Sequence, residues 1–210
     1  MRSPVFSIIV PHYQGSVSHE RFLEGIESLQ NQTFQDFEIL CYHDGPLLDN
    51  TVEFPIPVIC TKKRVNNWGH SLRDRGIWEA KGEYIVHFNP DNLLYSNALA
   101  EIKNGIDYDA APFQTEKPNP LIIFPIKMLG MYQKDFSVYR VKDESLALVI
   151  TGAPAVKHNI DCMQLVMKTS LWRAENGWLD KSEQSDGNMY PIFAAKYGVY
   201  NCGNVLGVHR

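Results

Sequence analysis

Short apolar runs alternate with apolar positions at helical spacing along the first hundred residues, the rhythm of an α/β domain built on a mostly parallel sheet. Phe6-Ser7-Ile8-Ile9-Val10 reads as a buried strand that Pro11 ends. Ser18 stands where an N-cap belongs, and Phe22, Leu23, Ile26 and Leu29 then recur along one helical face. Residues 37–42 form a second strand that stops at Asp44-Gly45-Pro46, a turn by composition, and Val58-Ile59-Cys60 is a short third strand. A helix is predicted over 69–81 and a buried strand over 84–88. Ser96 is then expected to cap a helix carrying Leu99, Ile102 and Ile106 on one face.

The second half is less regular. Pro112, Pro118, Pro120 and Pro125 break the stretch from Ala111 to Ile126 into loops and extended pieces. Residues 146–151 read as a strand, 161–168 as a short helix, and 185–197 as a helix in which Pro191 is tolerable only near the first turns. Short strands around Tyr200 and Val205-Leu206 follow. No repeat, low-complexity tract or linker divides the chain, so a single domain over 1–210 is expected, its second half packed on its first.

Composition narrows the partners. A chain of 210 residues, 44% of them hydrophobic, can bury a sizeable core. Twenty basic against 24 acidic residues leave a net charge of -4, which argues against gripping nucleic acid or anionic lipid by bulk electrostatics. Any phosphate ligand must then be neutralised by something other than a basic face. Cys41, Cys60, Cys162 and Cys202 form no CxxC pair and read as free thiols of a reducing compartment. No apolar run approaches the roughly 18 residues needed to span a bilayer, and no signal-peptide core precedes the first strand. The expectation is a cytoplasmic protein without a membrane span.

Ligands of parallel α/β sheets collect beyond the carboxyl ends of the strands. The residues following the four strands are polar here: Pro11-His12-Tyr13-Gln14, His43-Asp44-Gly45, Lys62-Lys63-Arg64 and Asn89-Pro90-Asp91-Asn92. These loops are expected to converge on one rim. Asp91 offers a hard oxygen ligand for Mg2+ or Mn2+ shared with a ligand's phosphates, or else simply turns the chain. Asp44 could meet a base edge, but with Gly45 following, an Asx-turn is the simpler use. His12 and Tyr13 could pack against a base or cover the core, and His209 could be an imidazole ligand or a solvated side chain. Asp180, Glu183 and Asp186 could each supply a general base, or together form an acidic helix start. Trp172 and Trp178 could stack on a sugar, although core packing is the commoner use. There is no GxxxxGK[ST] loop and no GxGxxG after the first strand, which leaves metal capture as the route to a phosphate.

Together these motifs resemble the family 2 glycosyltransferases of the GT-A fold over nearly the whole chain. Ser7-Ile8-Ile9-Val10-Pro11-His12-Tyr13-Gln14 is similar to the family's opening strand and loop, and the run Ser28 to Ile39 to its S-[LI]-x-x-Q-T-x-x-x-[FW]-E-[IL] signature. His43-Asp44-Gly45-Pro46 stands in the place of D-D-G-S, Ala80 to Ile85 matches A-x-G-E-Y-[IL], and Asn89-Pro90-Asp91-Asn92 occupies the place of D-x-D-D. The resemblance implies that Pro11, His12 and Tyr13 line a nucleoside pocket, that Asp44 bonds the base and favours uridine over guanosine, and that Arg73 and Asn67 lie beside the nucleotide. It makes Asp91 and His209 ligands of Mn2+ or Mg2+, with Asn89, in place of an Asp, a partner of ribose or sugar. It likens Asn159-Ile160-Asp161 to the acceptor-side segment and Ser185-Asp186-Gly187 to the base motif, so that Asp186 is the catalytic base, with Asp161 and Trp178 on the acceptor side.

The implied activity is inverting transfer of a sugar from a nucleotide-diphosphate sugar to a glycan or other hydroxyl acceptor by a small, soluble, non-processive enzyme. Residues 1–110 would form the nucleotide-binding half and 111–210 the acceptor half. His43 and Ser185, like Asn89, stand where the family has acidic residues. A sugar nucleotidyltransferase would need a Gly-rich basic loop after the first strand, which Pro11-His12-Tyr13-Gln14-Gly15 does not supply. The alternative is a non-catalytic sugar-nucleotide or carbohydrate-binding module with a decayed site.

Overall fold

The computed structural model describes residues 2–108, 119–134 and 137–210. In chain order the elements are β1 (Phe6–His12), α1 (His19–Gln30), β2 (Phe37–His43), β3 (Val58–Cys60), α2 (His70–Glu79), β4 (Tyr84–His87), β5 (Leu93–Leu94) and α3 (Ala98–Asp107). They continue with β6 (Leu121–Ile123), β7 (Ile126–Leu129), β8 (Met131–Lys134), β9 (Ser137–Arg140), β10 (Ala147–Ile150), β11 (Leu165–Lys168), α4 (Thr169–Ala174), α5 (Ser185–Tyr197), β12 (Tyr200–Asn201) and β13 (Gly207–His209).

A seven-stranded sheet ordered β12-β6-β11-β4-β1-β2-β3 forms the centre, and four of its six neighbour pairs are parallel. Alternation along its strands feeds two cores. Phe6, Ile8 and Val10 of β1 and Val86 of β4 pack with Phe22, Ile26 and Leu29 of α1 and Leu99, Ile102 and Ile106 of α3. Ile9 and Ile85 face the other way, onto Leu72 and Ile77 of α2, Trp172 of α4 and Tyr190 and Phe193 of α5. Each large side chain so buried contributes about 1.5–3 kcal/mol. A smaller sheet, β10-β7-β13-β5, adds Leu94, Ile126, Met128 and Ile150 to the first core, and β8 and β9 form a separate antiparallel pair. Among the described residues no helix is long and apolar enough to cross a membrane.

Several expectations are corrected. Pro11 does not end β1, which runs two residues further in register with Tyr42 and His43. Pairing with β4 stops at Ile9, so the N–H that proline lacks falls on the side the neighbouring strand has left. Ser96 is not the N-cap of α3; Asn97 holds that place without a side-chain bond, while the Ser96 carbonyl accepts from Thr33. Ser18 does cap α1, accepting from the Arg21 N–H, but Leu23 turns to solvent.

The segment 161–168 contains no helix: Leu165–Lys168 is a strand inserted antiparallel between β4 and β6. Leu165, Val166 and Met167 are buried on both faces, and such an apolar run carries no period by which to separate helix from strand. The last strand begins at Gly207, after Val205-Leu206. Pro120 and Pro125 bracket β6, whereas Ala111, Pro112 and Pro118 lie outside the described residues. Pro191 sits in the second turn of α5.

Candidate active site

The four loops do converge. With the start of α2, the segments before α5 and β11, and the end of β13, they surround one cavity of about 590 Å3. Pro11, His12, Tyr13, Asp44, Arg73, Asn89, Asp91, Asp161, Asp186 and His209 all line it; Asn67 and Trp178 do not. Two glycines permit the approach of its walls. A Cβ on Gly25 of α1 would lie 2.0 Å from the Pro90 carbonyl, and one on Gly69, at φ +77°, would lie 2.6 Å from the Pro11 side chain.

At one end of the cavity the Arg64 guanidinium lies 3.6 Å from the centre of the Tyr13 ring, a cation–π contact. Asp44 is buried, and its two carboxylate oxygens accept from the backbone N–H groups of Val65 and Asn66 at 2.8 Å each. It thereby fixes the loop that carries Arg64, in place of the Asx-turn expected from Gly45. His43 braces the neighbouring turn: its Nδ1 donates to the Gly45 carbonyl at 2.8 Å and its Nε2 accepts from Gln14 N–H at 3.0 Å. A carboxylate in that place could not donate to Gly45. His12 packs on Phe22 with ring centroids 4.4 Å apart, and burial, with His43 beside it, lowers its pKa to about 4. Asn67 turns away from the cavity to hold Ser71 at the start of α2, donating to its Oγ at 2.6 Å.

Arg73 forms part of the floor. It is 2% exposed, yet its Nε and Nη1 have no hydrogen-bond partner. Its Nη2 donates to Asn89 Oδ1 and, at 3.5 Å, to Cys162 Sγ. An aspartate at position 89 would make this a buried ion pair; with asparagine there the guanidinium touches no carboxylate, and Asp186 acts on it only through space. Burying a cation in that condition costs several kcal/mol, which an anionic ligand would offset. The same charge, after burial itself, lowers the pKa of His70 to about 4 and holds His87 well below the imidazole range.

The second half of the chain brings carboxylates to the cavity. Burial, then the negative charge of Asp161, raises the pKa of Asp186 to about 6, partly opposed by the Gly187 N–H that donates to Oδ1 at 2.7 Å. Asp161 also approaches His209, with Oδ2 and Nε2 3.7 Å apart, and His209 Nδ1 is buried without a partner. Asp180 is not poised as a base. Asn188 and Ser182 donate to it and hold its pKa down.

Among the described residues no three His, Cys, Asp or Glu side chains gather closely enough to hold a metal ion by themselves. Asp91 and His209 nevertheless line the same cavity, a carboxylate and an imidazole with room for a ligand's own oxygens, and this pairing suits a cation shared with phosphates. Arg210 secures the Asp91 loop. Its Nε donates to the Asp91 carbonyl, its backbone N–H to Asn92 Oδ1 at 3.3 Å, and its Nη1 to Glu24.

Trp178 is a correction: it is fully buried, stacked on Trp172 and His70, with its Nε1 donating to Ser185 Oγ at 3.2 Å. An acidic residue at 185 would bring a charge into this apolar packing. Sequence reasoning passed over Trp68 and His70. The available signal was a tryptophan inside Asn66-Asn67-Trp68-Gly69, a turn composition that gives a large aromatic ring no core to enter.

The chain matches Glycosyl transferase family 2 over residues 7–116. An uncharacterized glycosyltransferase of Haemophilus influenzae is 30% identical over 112 residues, covering 50% of this chain and 43% of that one. The fold is similar to that of S. aureus TarS, with a TM-score of 0.69 at 14% identity over 97% of this chain and 60% of that one. It is also similar to the mannosyltransferase PcManGT of Pyrobaculum calidifontis, with a TM-score of 0.63 at 14% identity over 99% and 57%. The chain thus spans less than two thirds of each of these three proteins.

Proposed function

The chain belongs to glycosyl transferase family 2, and we propose that it moves a sugar from a nucleotide-diphosphate sugar, preferably a UDP-sugar, to an acceptor hydroxyl with inversion at the anomeric carbon. Residues from 1 to about 110 form the donor half of one GT-A domain, and those from about 111 to 210 the acceptor half. One observation carries the reading. A single cavity holds both a buried guanidinium with unpartnered N–H groups and a carboxylate whose proton affinity is raised. The similar structures agree in kind, for TarS has been crystallised with UDP and with UDP-GlcNAc, and PcManGT with GDP-Man and Mn2+.

In this reading Pro11, His12 and Tyr13 bound the nucleoside end, and Asp44 serves it through the 64–66 loop that its carboxylate holds. Arg73 gives its free N–H groups to the diphosphate, and Asn89 faces ribose or sugar. Asp91 and His209 would hold Mn2+ or Mg2+, which when bound neutralises diphosphate charge. Asp186 takes the proton from the acceptor hydroxyl as that oxygen bonds to the anomeric carbon and the carbon–phosphate-oxygen bond breaks. Arg73 stabilises the charge gathering on the departing nucleoside diphosphate. Asp161, beside Asp186 on the acceptor side, keeps that carboxylate basic.

The test is nucleotide release and thermal stabilisation with a panel of UDP- and GDP-sugars, each with and without Mn2+ or Mg2+. Cation-dependent release and a raised Tm with one nucleotide family are expected, because a ligand that binds only the folded state stabilises it. If no nucleotide raises Tm with any cation, the reading fails.

A further inference from the structure

Four rings form a column from the core to the rim of the cavity. Trp172 and Trp178 stack with centroids 5.5 Å apart and planes 12° apart, and His70 lies on Trp178 at 5.3 Å and 12°. Trp68 lies on His70 at 6.4 Å and 30°. The inner three rings are buried; the outermost, Trp68, lines the cavity and is 61% exposed. Its backbone is left-handed, at φ 53°, in a loop where Asn66 at φ 55° and Gly69 at φ 77° adopt the same hand. For a bulky side chain that conformation costs on the order of 1–3 kcal/mol. Leaving an indole in water forgoes a further 1.5–3 kcal/mol or so of burial. A ligand covering the outer face would recover the burial and give the strained loop a use.

The surroundings select the ligand. His70 Nε2 bonds to the Ser182 carbonyl at 3.0 Å and lies 3.1 Å from Ser185 Oγ, so the ring beneath Trp68 is tied to the residues flanking Glu183 and preceding Asp186. Glu183 and Asp186 both line the cavity with Trp68. Carboxylates accept from hydroxyls and repel phosphates, while an indole face takes the C–H face of a ring and leaves the ring's polar edge free. The nucleoside end has its own aromatic surface in Tyr13 with Arg64. From this we infer that Trp68 is the platform for an uncharged pyranose ring of the acceptor, with Glu183 accepting from its hydroxyls and Asp186 placed at the reacting one. The inference rests on the glycosyl-transfer reading and names the acceptor's chemical class within it.

The experiment compares binding of methyl β-glucopyranoside and of ribitol, an acyclic polyol, by saturation-transfer NMR, with UDP binding measured separately by calorimetry. The wild type is expected to bind the pyranoside and to discriminate against ribitol. Trp68→Ala should weaken the pyranoside about tenfold, the equivalent of some 1.4 kcal/mol, Trp68→Phe much less, and UDP affinity should stay within about twofold in both. Trp68→Gly should lose the pyranoside and yet raise Tm, because glycine accepts the left-handed backbone without strain.

The inference is overturned if the wild type ignores the pyranoside or holds ribitol equally well, or if Trp68→Ala leaves pyranoside binding intact. Loss of UDP instead of pyranoside would make Trp68 a base platform and overturn it too. Failure of the function reading looks different: no nucleotide binds to the wild type, whatever becomes of the pyranoside.

Discussion

The two halves of the chain reach the cavity by different mechanical means. The first presents backbone ends: parallel β1 and β2 end level at His12 and His43, β4 stops three residues short of them, and the loops beyond lay Tyr13, Asp44 and Asp91 on one rim. Gly25 and Gly69 let those loops close against their neighbours. The second half presents packed side chains, with β11 driven antiparallel into the sheet, α5 bound through Ser185 to His70 and Trp178, and β13 delivering His209. The halves differ in charge as well. On the cavity wall the first sets Arg64 and Arg73 against Asp44 and Asp91, and the second sets Arg140 against Asp161, Glu183 and Asp186. A site so divided should let donor binding at Arg73 be separated from proton removal at Asp186.

The sharpest test of that division is Asp186→Asn, which should lower kcat about 10³-fold, within the range of a lost general base, while donor affinity, read by calorimetry, stays within about twofold. A matching loss of donor affinity would break the comparison. The variant should also show the linkage sign. Because the folded pKa of Asp186 is raised to about 6 from 3.8, the wild type loses stability as pH rises between those values. The asparagine variant, which has no such proton to lose, should therefore melt at a higher Tm than the wild type above about pH 6 and show no difference below about pH 4.

Next in size, Arg73→Met should weaken UDP binding roughly 10- to 100-fold, the range for charge-assisted hydrogen bonds, while raising the Tm of the ligand-free protein by removing a buried charge whose Nε and Nη1 have no hydrogen-bond partner. A fall in Tm would show that the guanidinium has partners other than those seen. Asp91→Asn should reduce the stimulation of nucleotide release by Mn2+ about tenfold and leave metal-free UDP binding nearly unchanged; unaltered stimulation would remove Asp91 from the cation. The smallest effect is on the pH profile, where kcat should rise about twofold between pH 6 and 7 as Asp186 completes its ionisation and then level off. A profile flat from pH 5 upward would detach the base from Asp186.

Legibility in the sequence divides at nearly the same place. From β1 to α3 every element but the two-residue β5 has its own period and punctuation, so the strands over 37–42 and 58–60 and the buried stripe Leu99, Ile102 and Ile106 could be read locally. Strand ends place residues by rule, and for that reason Tyr13 and Asp91 lie on the cavity wall. Local rules fail where a distant partner decides. Leu165–Met167 is a strand because β4 and β6 flank it. Trp178 is buried and Trp68 exposed because of how residues far apart in the chain come together, although a tryptophan's character is identical at both. Asp44 could not be assigned to the backbone of Val65 and Asn66 without knowing that β3 runs beside β2.

The position of β13 sets an order of assembly. β5, at residues 93–94, pairs within its sheet with β13, at residues 207–209, and β13 also pairs with β7. A chain emerging amino end first, at about 5–20 residues per second, can form the parallel strands and their loops while His209 is still unmade. The pairing of β5 closes a separation of more than a hundred residues, the kind of contact that forms late. The cavity wall built by the parallel strands is therefore older in each newly made molecule than the imidazole beside Asp161.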